Sequence, residues 1–286
     1  MESDLFNQKT WESAWENDRN TNVKIMQRLG QMESYNTEGF RKWAKSYNEM
    51  SFSDEGRQRS NRILTWIEQQ GVSFEGISVL DIGAASGVFS ISMARKGAEV
   101  TAIEPSSDLA TMLAEHAKKH SVQVNIIQKP FEDFVEDNNK QSFDLVFSSM
   151  CPAISNWNIV EKALGFAKKY CYISGMSSRK ENHVMDELLP IIGVDSQGIG
   201  SSDMAYLLQL LFLKGYSYQS LIERHVKIVD IDIENVVTKL TEWFVEYGIP
   251  LEDKLLKKSE EYLRETYTGK IPLRMGGRFG KVLVQL

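Results

Sequence analysis

The sequence predicts an α/β protein with a doubly wound, mostly parallel sheet, and three observations support this class. From residue 77 onward, short apolar strands alternate with helical segments at the spacing of βα units. The stretch 79–90, VLDIGAASGVFS, has the order of a buried strand, a turn of small residues and a helix. The last stretch, 278–286, is RFGKVLVQL and has the apolar character of a closing strand.

Residues 1–75 show a helical pattern instead. In 38–50, EGFRKWAKSYNEM, the apolar residues share one helix face, and Trp43 and Tyr47 stand four residues apart. Such aromatic faces seldom point at water. We predict that 1–75 forms a helical lid over the ligand-binding edge of the sheet. Simple packing on the outer layer of the core is the alternative.

From 76 to 286 the periodicity predicts seven strands, the intervening helices and a turn at Gly276–Gly277. The strands are expected at 77–83, 98–104, 122–127, 143–149, 170–175, 220–232 and 278–286. The helices are expected at 87–97, 107–120, 131–138, 156–169, 181–192, 203–215, 234–248 and 252–267. We interpret the helices near 181–220 and 233–268 as insertions that form a cap together with the N-terminal helices.

Composition narrows the class of protein. The chain has 286 residues and a net charge of −6, which argues against binding nucleic acid or anionic membranes through bulk charge. Its two cysteines, Cys151 and Cys171, have no metal-type spacing, and no other set of ligand residues predicts a metal. No apolar run is long enough to span a bilayer, and the N-terminus lacks a signal-peptide core. We therefore expect a cytoplasmic protein.

The small-residue turn points to a ligand. A dinucleotide fingerprint needs glycine at 83, 85 and 88, but the chain has Gly83, Ala85 and Val88. The pattern present is Asp81 followed by glycines at 83 and 87. Such turns let a ligand approach the backbone beside the unpaired N–H groups of a helix N-terminus. A purely structural tight turn is the competing explanation.

A carboxylate follows the second predicted strand. Glu104 ends AEVTAIE, about twenty residues after the first glycine, which is where a ribose-binding acid stands in nucleotide-binding folds. A carboxylate there accepts hydrogen bonds from both ribose hydroxyls. The alternative is a solvated acid at a strand end.

With these residues the sequence resembles the class I S-adenosylmethionine-dependent methyltransferases, a Rossmann-like family. The resemblance covers VLDIGAASGVFSISMARKGAEVTAIEPS and continues through FDLVFSSMCPAI to the terminal strand. It implies S-adenosyl-L-methionine as cofactor. It also implies a sheet that ends in an antiparallel hairpin, here 223–231 with 280–286.

Two departures from the family pattern affect the site. Ala85 replaces the middle glycine, so a positive φ there would be strained. Pro130 stands where many relatives have an aspartate near the adenine. We therefore expect the Phe131 backbone and the Glu132 side chain to hold the adenine.

The resemblance assigns three groups of site residues. The cofactor site comprises Asp81, Gly83, Ala84, Ala85, Gly87, Glu104, Pro105, Phe131, Glu132 and Ser148. The acceptor is expected to contact Met150, Cys151 and Arg179. For Cys151 the competing interpretation is a packed apolar cysteine, and for Arg179 a solvated loop residue. The candidate catalytic residues are His183, as a general base, and Tyr47, as a contact from the lid.

We therefore predict a methyltransferase that acts on a small-molecule acceptor enclosed by a helical cap. One alternative is a non-catalytic protein that binds S-adenosylmethionine as a sensor or scaffold. The other is an NAD-dependent oxidoreductase, which Ala85, Val88 and the terminal hairpin disfavour. The acceptor atom and the oligomeric state do not follow from the sequence.

Overall fold

The computed structural model describes residues 4–29, 38–135, 141–178, 180–195 and 203–286. In this part of the chain, helices cover one eight-stranded sheet. The strands are β1 (Ser78–Ile82), β2 (Glu99–Ile103), β3 (Val124–Ile127), β4 (Phe143–Ser149), β5 (Ala167–Met176), β6 (Glu181–Asn182), β7 (Ser217–Asp232) and β8 (Lys270–Gln285). The helices are α1 (Gln8–Asn17), α2 (Asn22–Arg28), α3 (Glu38–Ser51), α4 (Asp54–Gln69), α5 (Val88–Arg95), α6 (Ser107–Lys119), α7 (Trp157–Phe166), α8 (His183–Ile192), α9 (Asp203–Leu213), α10 (Ile233–Glu246) and α11 (Asp253–Thr266).

The sheet order confirms the predicted class. The strands follow one another as β3-β2-β1-β4-β5-β8-β6, and β7 pairs with β8. The first five strands run parallel, whereas β8 runs antiparallel to β5, β6 and β7. Strands β2 and β3 lie on one side of β1, whereas β4 and β5 lie on the other. The strand order therefore reverses between β1 and β4. In open α/β sheets, ligands bind at the carboxyl ends of the strands at such a reversal.

Three local predictions differ from the structure. The eighth strand is the two-residue β6, which is too short to leave a periodic pattern in the sequence. The helix expected at 131–138 is a single 3₁₀ turn over Phe131–Asp133, while 136–140 lies outside the described residues. The helix expected to reach residue 169 ends at Phe166, because Ala167 already pairs with Phe143 as β5 begins.

The expected turn at Gly276–Gly277 is also wrong, since both glycines lie within β8. Gly276 pairs with Val226 of β7 and with Glu181 of β6. A Cβ added at Gly276 would lie 2.1 Å from the backbone oxygen of His225. Gly276 therefore permits close approach of a neighbouring backbone, and the chain does not reverse here.

The two faces of the sheet carry separate apolar clusters. On one face Trp157 of α7 and Leu207 of α9 pack with Val282 and Val284 of β8. On the other face the helix α4 contributes Leu64 and Ile67, and both are fully buried. Helix α4 therefore belongs to the layer that covers the sheet.

The insertions build a second core. Helices α8, α10 and α11 bury a cluster that includes Leu188, Phe244 and Leu263. The cluster also contains Ile271 and Leu273, which lie where β8 extends beyond its pairing with β5. The insertions predicted near 181–220 and 233–268 thus contain the helices that the structure shows there.

The N-terminal helices rest on different elements. Trp15 of α1 is 1% exposed and stacks on Tyr206 of α9 with ring centroids 6.1 Å apart. Helix α3 packs against α6, where the Asn48 side-chain oxygen lies 2.8 Å from Nε2 of His116. None of the helices in the described ranges combines the length and apolar character needed to cross a membrane.

Candidate cofactor and acceptor site

The turn after β1 has the backbone that its small residues allow. The φ angles of Gly83, Ala85 and Gly87 are +70°, +49° and +91°. The positive φ expected to strain Ala85 is therefore present. The N–H groups of Gly83 and Ala84 donate to the Ile103 carbonyl at 2.9 and 3.0 Å. These bonds fix the turn against the end of β2, where Glu104 follows.

Glu104 is 5% exposed and lies at the centre of the site. The N–H of Ala85 donates to its Oε2 and the N–H of Ser106 donates to its Oε1, both at 2.9 Å. Burial raises the pKa of this carboxyl to about 7, although both hydrogen bonds act in the opposite direction. Ser106 is also the N-cap of α6, because its hydroxyl accepts from the Leu109 N–H. Glu104 therefore joins the glycine turn to the start of α6.

Asp81 supplies a second buried carboxyl at the same place. It is 2% exposed and accepts a hydrogen bond from the Ser90 hydroxyl of α5. Burial raises the pKa of Asp81 to about 7, and the negative charge of Glu104 adds to the rise. The sequence did not identify Ser90, although its position in the first turn of the helix after the glycines could have indicated it.

Cys151 lies directly over the glycine turn. A Cβ added at Gly83 would come within 2.3 Å of its Sγ. Burial raises the pKa of the Cys151 thiol to about 12, and the charges of Glu104 and Asp81 contribute to this rise. A thiol with such a pKa is a poor nucleophile at neutral pH, which agrees with a packing role. The preceding Met150 has φ +54° and donates its N–H to the Ser174 carbonyl of β5 at 3.0 Å.

Tyr47 lies in α3, which packs against α4 and α6. Burial raises its pKa, and the charges of Asp81 and Glu104 contribute to the rise. Its ring stacks on Trp43 with centroids 5.2 Å apart. The role of Tyr47 as a lid contact stays a prediction. Whether α3 opens and closes stays a prediction.

A cleft begins on the far side of Cys151. Its lining combines polar residues, namely Asn22, Ser174 and Asp203, with apolar ones that include Trp15, Val23, Met150, Cys151, Met176 and Leu207. Asp203 lies at the cleft wall, where its carboxylate accepts from Nε1 of Trp15 and from the N–H of Asn22, each at 2.8 Å. The sequence did not assign Asp203, since a contact between α1 and the first residue of α9 has no local signal.

Other predicted residues lie elsewhere or have other partners. The Glu132 side chain is exposed, and the carbonyl oxygens of Phe131 and Glu132 accept from Nζ of Lys162 at 2.8 and 2.7 Å. The ring of Phe131 is buried in the core. His183 begins α8, and its Nδ1 accepts from the Arg274 N–H at 2.9 Å. It does not line the cleft.

Three further predictions concern loop and strand-end positions. Pro105 is half-buried directly after Glu104, and Ser148 is buried near the end of β4. Arg179 lies outside the described residues. Among the residues that the structure describes, no group of three or more His, Cys, Asp or Glu side chains could hold a metal ion.

A glycine turn after the first strand and a buried carboxylate after the second define an α/β domain of the nucleotide-cofactor-binding class. Comparison with known proteins is more specific. Residues 79–170 match the family model described as a methyltransferase domain. This match, over about a third of the chain, confirms the resemblance to the class I, Rossmann-like methyltransferases.

Similar curated proteins include two named ubiquinone biosynthesis O-methyltransferase. The protein from Actinobacillus pleuropneumoniae serotype 5b (strain L20) is 31% identical over 86 residues, which are 29% of this chain and 37% of that protein. The protein from Pasteurella multocida (strain Pm70) is 32% identical over 113 residues, which are 39% of this chain and 46% of that protein. The chain thus spans less than half the length of these relatives.

Among solved structures, the chain is similar to the YcgJ protein from Bacillus subtilis. The TM-score is 0.49 and the sequence identity 15%, over 80% of this chain and 98% of that one.

Proposed function

We propose that the protein is an S-adenosylmethionine-dependent methyltransferase that acts on a small-molecule acceptor. The observation that supports this most directly is Glu104, a buried carboxylate held against the glycine turn by the N–H groups of Ala85 and Ser106. A carboxylate has about four acceptor positions, so two remain for the ribose hydroxyls of the cofactor. The match of residues 79–170 to the methyltransferase domain model supports the same cofactor.

The charges at the turn distinguish between the candidate cofactors. Asp81 and Glu104 are buried together, and burial raises the pKa of both. A cationic ligand stabilises both carboxylates, and S-adenosylmethionine carries a sulfonium and an ammonium group. The pyrophosphate of NAD would instead bring negative charge to the same place. This argues against the oxidoreductase alternative.

The acceptor would occupy the cleft on the other side of Cys151. This residue contacts Gly83 and also lines the cleft, so it stands between the two binding regions. The mixed lining favours an acceptor that has both an apolar part and a polar group. A cleft beside the cofactor turn also favours an enzyme over a sensor or scaffold, for which no second binding region is needed.

Alignment would provide most of the catalysis. The bound cofactor supplies an electrophilic methyl group on a good leaving group. The chain's own residues would hold the acceptor in line and exclude water, with Trp15 and Met150 forming apolar walls. No histidine occurs among the described residues that line the cleft, and both oxygens of the Asp203 carboxylate at its wall already accept hydrogen bonds, from Trp15 and Asn22. We therefore propose an acceptor that is nucleophilic at neutral pH without a protein base.

Calorimetric titration tests the cofactor. S-adenosylmethionine and S-adenosylhomocysteine should bind far more tightly than NAD, and preference for NAD would overturn the assignment. A panel of small acceptors, monitored by formation of S-adenosylhomocysteine, tests the reaction. Tight cofactor binding without turnover on any acceptor, in a panel that also includes peptide and RNA acceptors, would favour the sensor alternative. Turnover confined to peptide or RNA would contradict the small-molecule acceptor.

A further inference from the structure

Strand β7 presents a long open edge. All of its residues, Ser217–Asp232, pair with β8 on one side. Among the described residues, no strand pairs with its other side. The backbone N–H and C=O groups on that side therefore form a template for a further strand.

The open strand exposes large apolar side chains between its charged residues Glu223, Arg224, Lys227, Asp230 and Asp232. Five of its large apolar side chains are 38–68% exposed: Leu221, Ile222, Val226, Ile228 and Val229. Edge strands of stable monomers are commonly short, or protected by charges, proline or bulges. A 16-residue edge with this exposure is typical of a surface that another strand covers.

The sequence of β7 is complementary to itself in one antiparallel register. When His225 of one copy faces His225 of a second copy, Ile222 faces the partner's Ile228 and Leu221 faces the partner's Val229. Each of these pairs forms twice because the arrangement has a two-fold axis. Directly opposite side chains in an antiparallel pair lie on the same face of the sheet and contact one another. Four of the five exposed apolar residues thus cover one another, one pair on each face, while Val226 faces the partner's Arg224.

Charge favours the same register. It places Glu223 opposite the partner's Lys227, while Glu223 keeps its contact with Lys281 of its own chain at 2.7 Å. Centring the pair on Lys227 would set two lysines opposite each other, and centring it on Val226 would set Glu223 opposite Val229. Opposite charges across a strand pair stabilise it, and like charges destabilise it.

We propose that two copies of this chain associate through β7, edge to edge and antiparallel, with the two-fold axis at His225. The two sheets then form one continuous sheet. The cofactor turn follows β1, four strands away from β7 in the sheet order, so the association leaves the proposed methyltransferase site open. The proposal is independent of the function assigned to that site.

Light scattering coupled to size exclusion tests the association. The wild-type chain, 32.6 kDa as a monomer, should elute with twice that mass. Ile228→Glu and Ile222→Lys should each give a monomer, because each places a charge opposite isoleucine. The double variant should restore the dimer, since lysine then faces the partner's glutamate. Leu251→Glu, at a site 50% exposed outside β7, is the matched control and should remain dimeric.

A cysteine cross-link tests the register even where a charged variant fails to fold. Opposite residues in an antiparallel pair have Cα atoms about 4.5–5.5 Å apart, which a disulfide spans. His225→Cys should therefore form a covalent dimer under mild oxidation. Ile228→Cys should not, because it faces the partner's Ile222, and the wild type controls for Cys151 and Cys171. A monomeric wild type, a dimeric Ile228→Glu variant, or equal cross-linking at 225 and 228 would overturn the proposal.

Discussion

Replacement of Glu104 by glutamine should weaken cofactor binding without a matching loss of stability. Glutamine keeps the shape of the side chain but loses the charge and one acceptor oxygen. One of the N–H groups of Ala85 and Ser106, which now donate to the two carboxylate oxygens, then loses its acceptor. An unpaired buried donor of this kind costs about 1–3 kcal/mol.

Above neutral pH, the loss of the negative charge should stabilise the folded variant and so offset the unpaired donor. The pKa of Glu104 rises from 4.5 to about 7 in the folded protein, so its ionisation destabilises the fold by roughly 3 kcal/mol above that pH. At pH 8 Glu104→Gln removes this penalty and should leave the ligand-free protein about as stable as the wild type, within about 2 kcal/mol. Near pH 5 the wild-type carboxyl is largely protonated, so the variant should be the less stable protein.

Cofactor affinity should respond differently. Losing a charge-assisted contact to the ribose costs about 1.5–3 kcal/mol, which is roughly a tenfold to hundredfold weaker affinity. Titration calorimetry gives the affinity for S-adenosylhomocysteine, and chemical denaturation at both pH values gives the free energy of unfolding. Glu99→Gln, an exposed position on the same strand, is the control. An affinity within twofold of the wild type would refute the ribose-binding role of Glu104.

Three further predictions follow from the same site. Raising the pH from about 5 to about 8 should lower the Tm of the ligand-free wild type more than the Tm of the Asp81→Asn variant. The reason is that burial raises the pKa of Asp81 above its value in the unfolded chain, so ionisation of Asp81 destabilises the fold. Equal shifts in Tm would contradict this prediction. Gly83→Ala should reduce both Tm and cofactor affinity, because the added Cβ would lie 2.3 Å from Sγ of Cys151. Adding Cys151→Ala should restore part of both. If the double variant restores neither, the clash with Cys151 is not the cause. Amide exchange in α3 should slow when cofactor binds, whereas exchange indifferent to ligand would contradict a lid.

The sheet and the glycine turn could be predicted from sequence because their signals are local. Strands such as β4 are apolar runs, and the positions of Gly83, Gly87 and Glu104 follow from their spacing after two such strands. The positive φ of Ala85 opposes the local preference of alanine, and the hydrogen bond from its N–H to Oε2 of Glu104 holds the residue in the turn. The sequence therefore places the turn and the acid at the same edge of the sheet.

Features that depend on distant contacts could not be predicted. The carboxylate of Asp203 accepts from Trp15, which is 188 residues away in the chain, and no periodicity connects them. The Gly276–Gly277 pair has the composition of a turn, yet the close approach of β7 fixes it within a strand. The partner of His183 is also distant in the sequence. Its Nδ1 accepts a hydrogen bond from the N–H of Arg274 in β8, and no spacing in the sequence predicts this contact.

We expect the contacts along α6 to couple ligand binding to the position of α3. Ser106 donates its N–H to Glu104 and caps α6, and nearly three turns later His116 contacts Asn48 and stacks on Phe52 with ring centroids 3.6 Å apart. A ligand that orders the first turn of α6 therefore also favours the docked position of α3. By linkage, the free energy by which a bound ligand favours the docked position of α3 equals the free energy by which docking at His116, at the other end of the helix, favours the ligand.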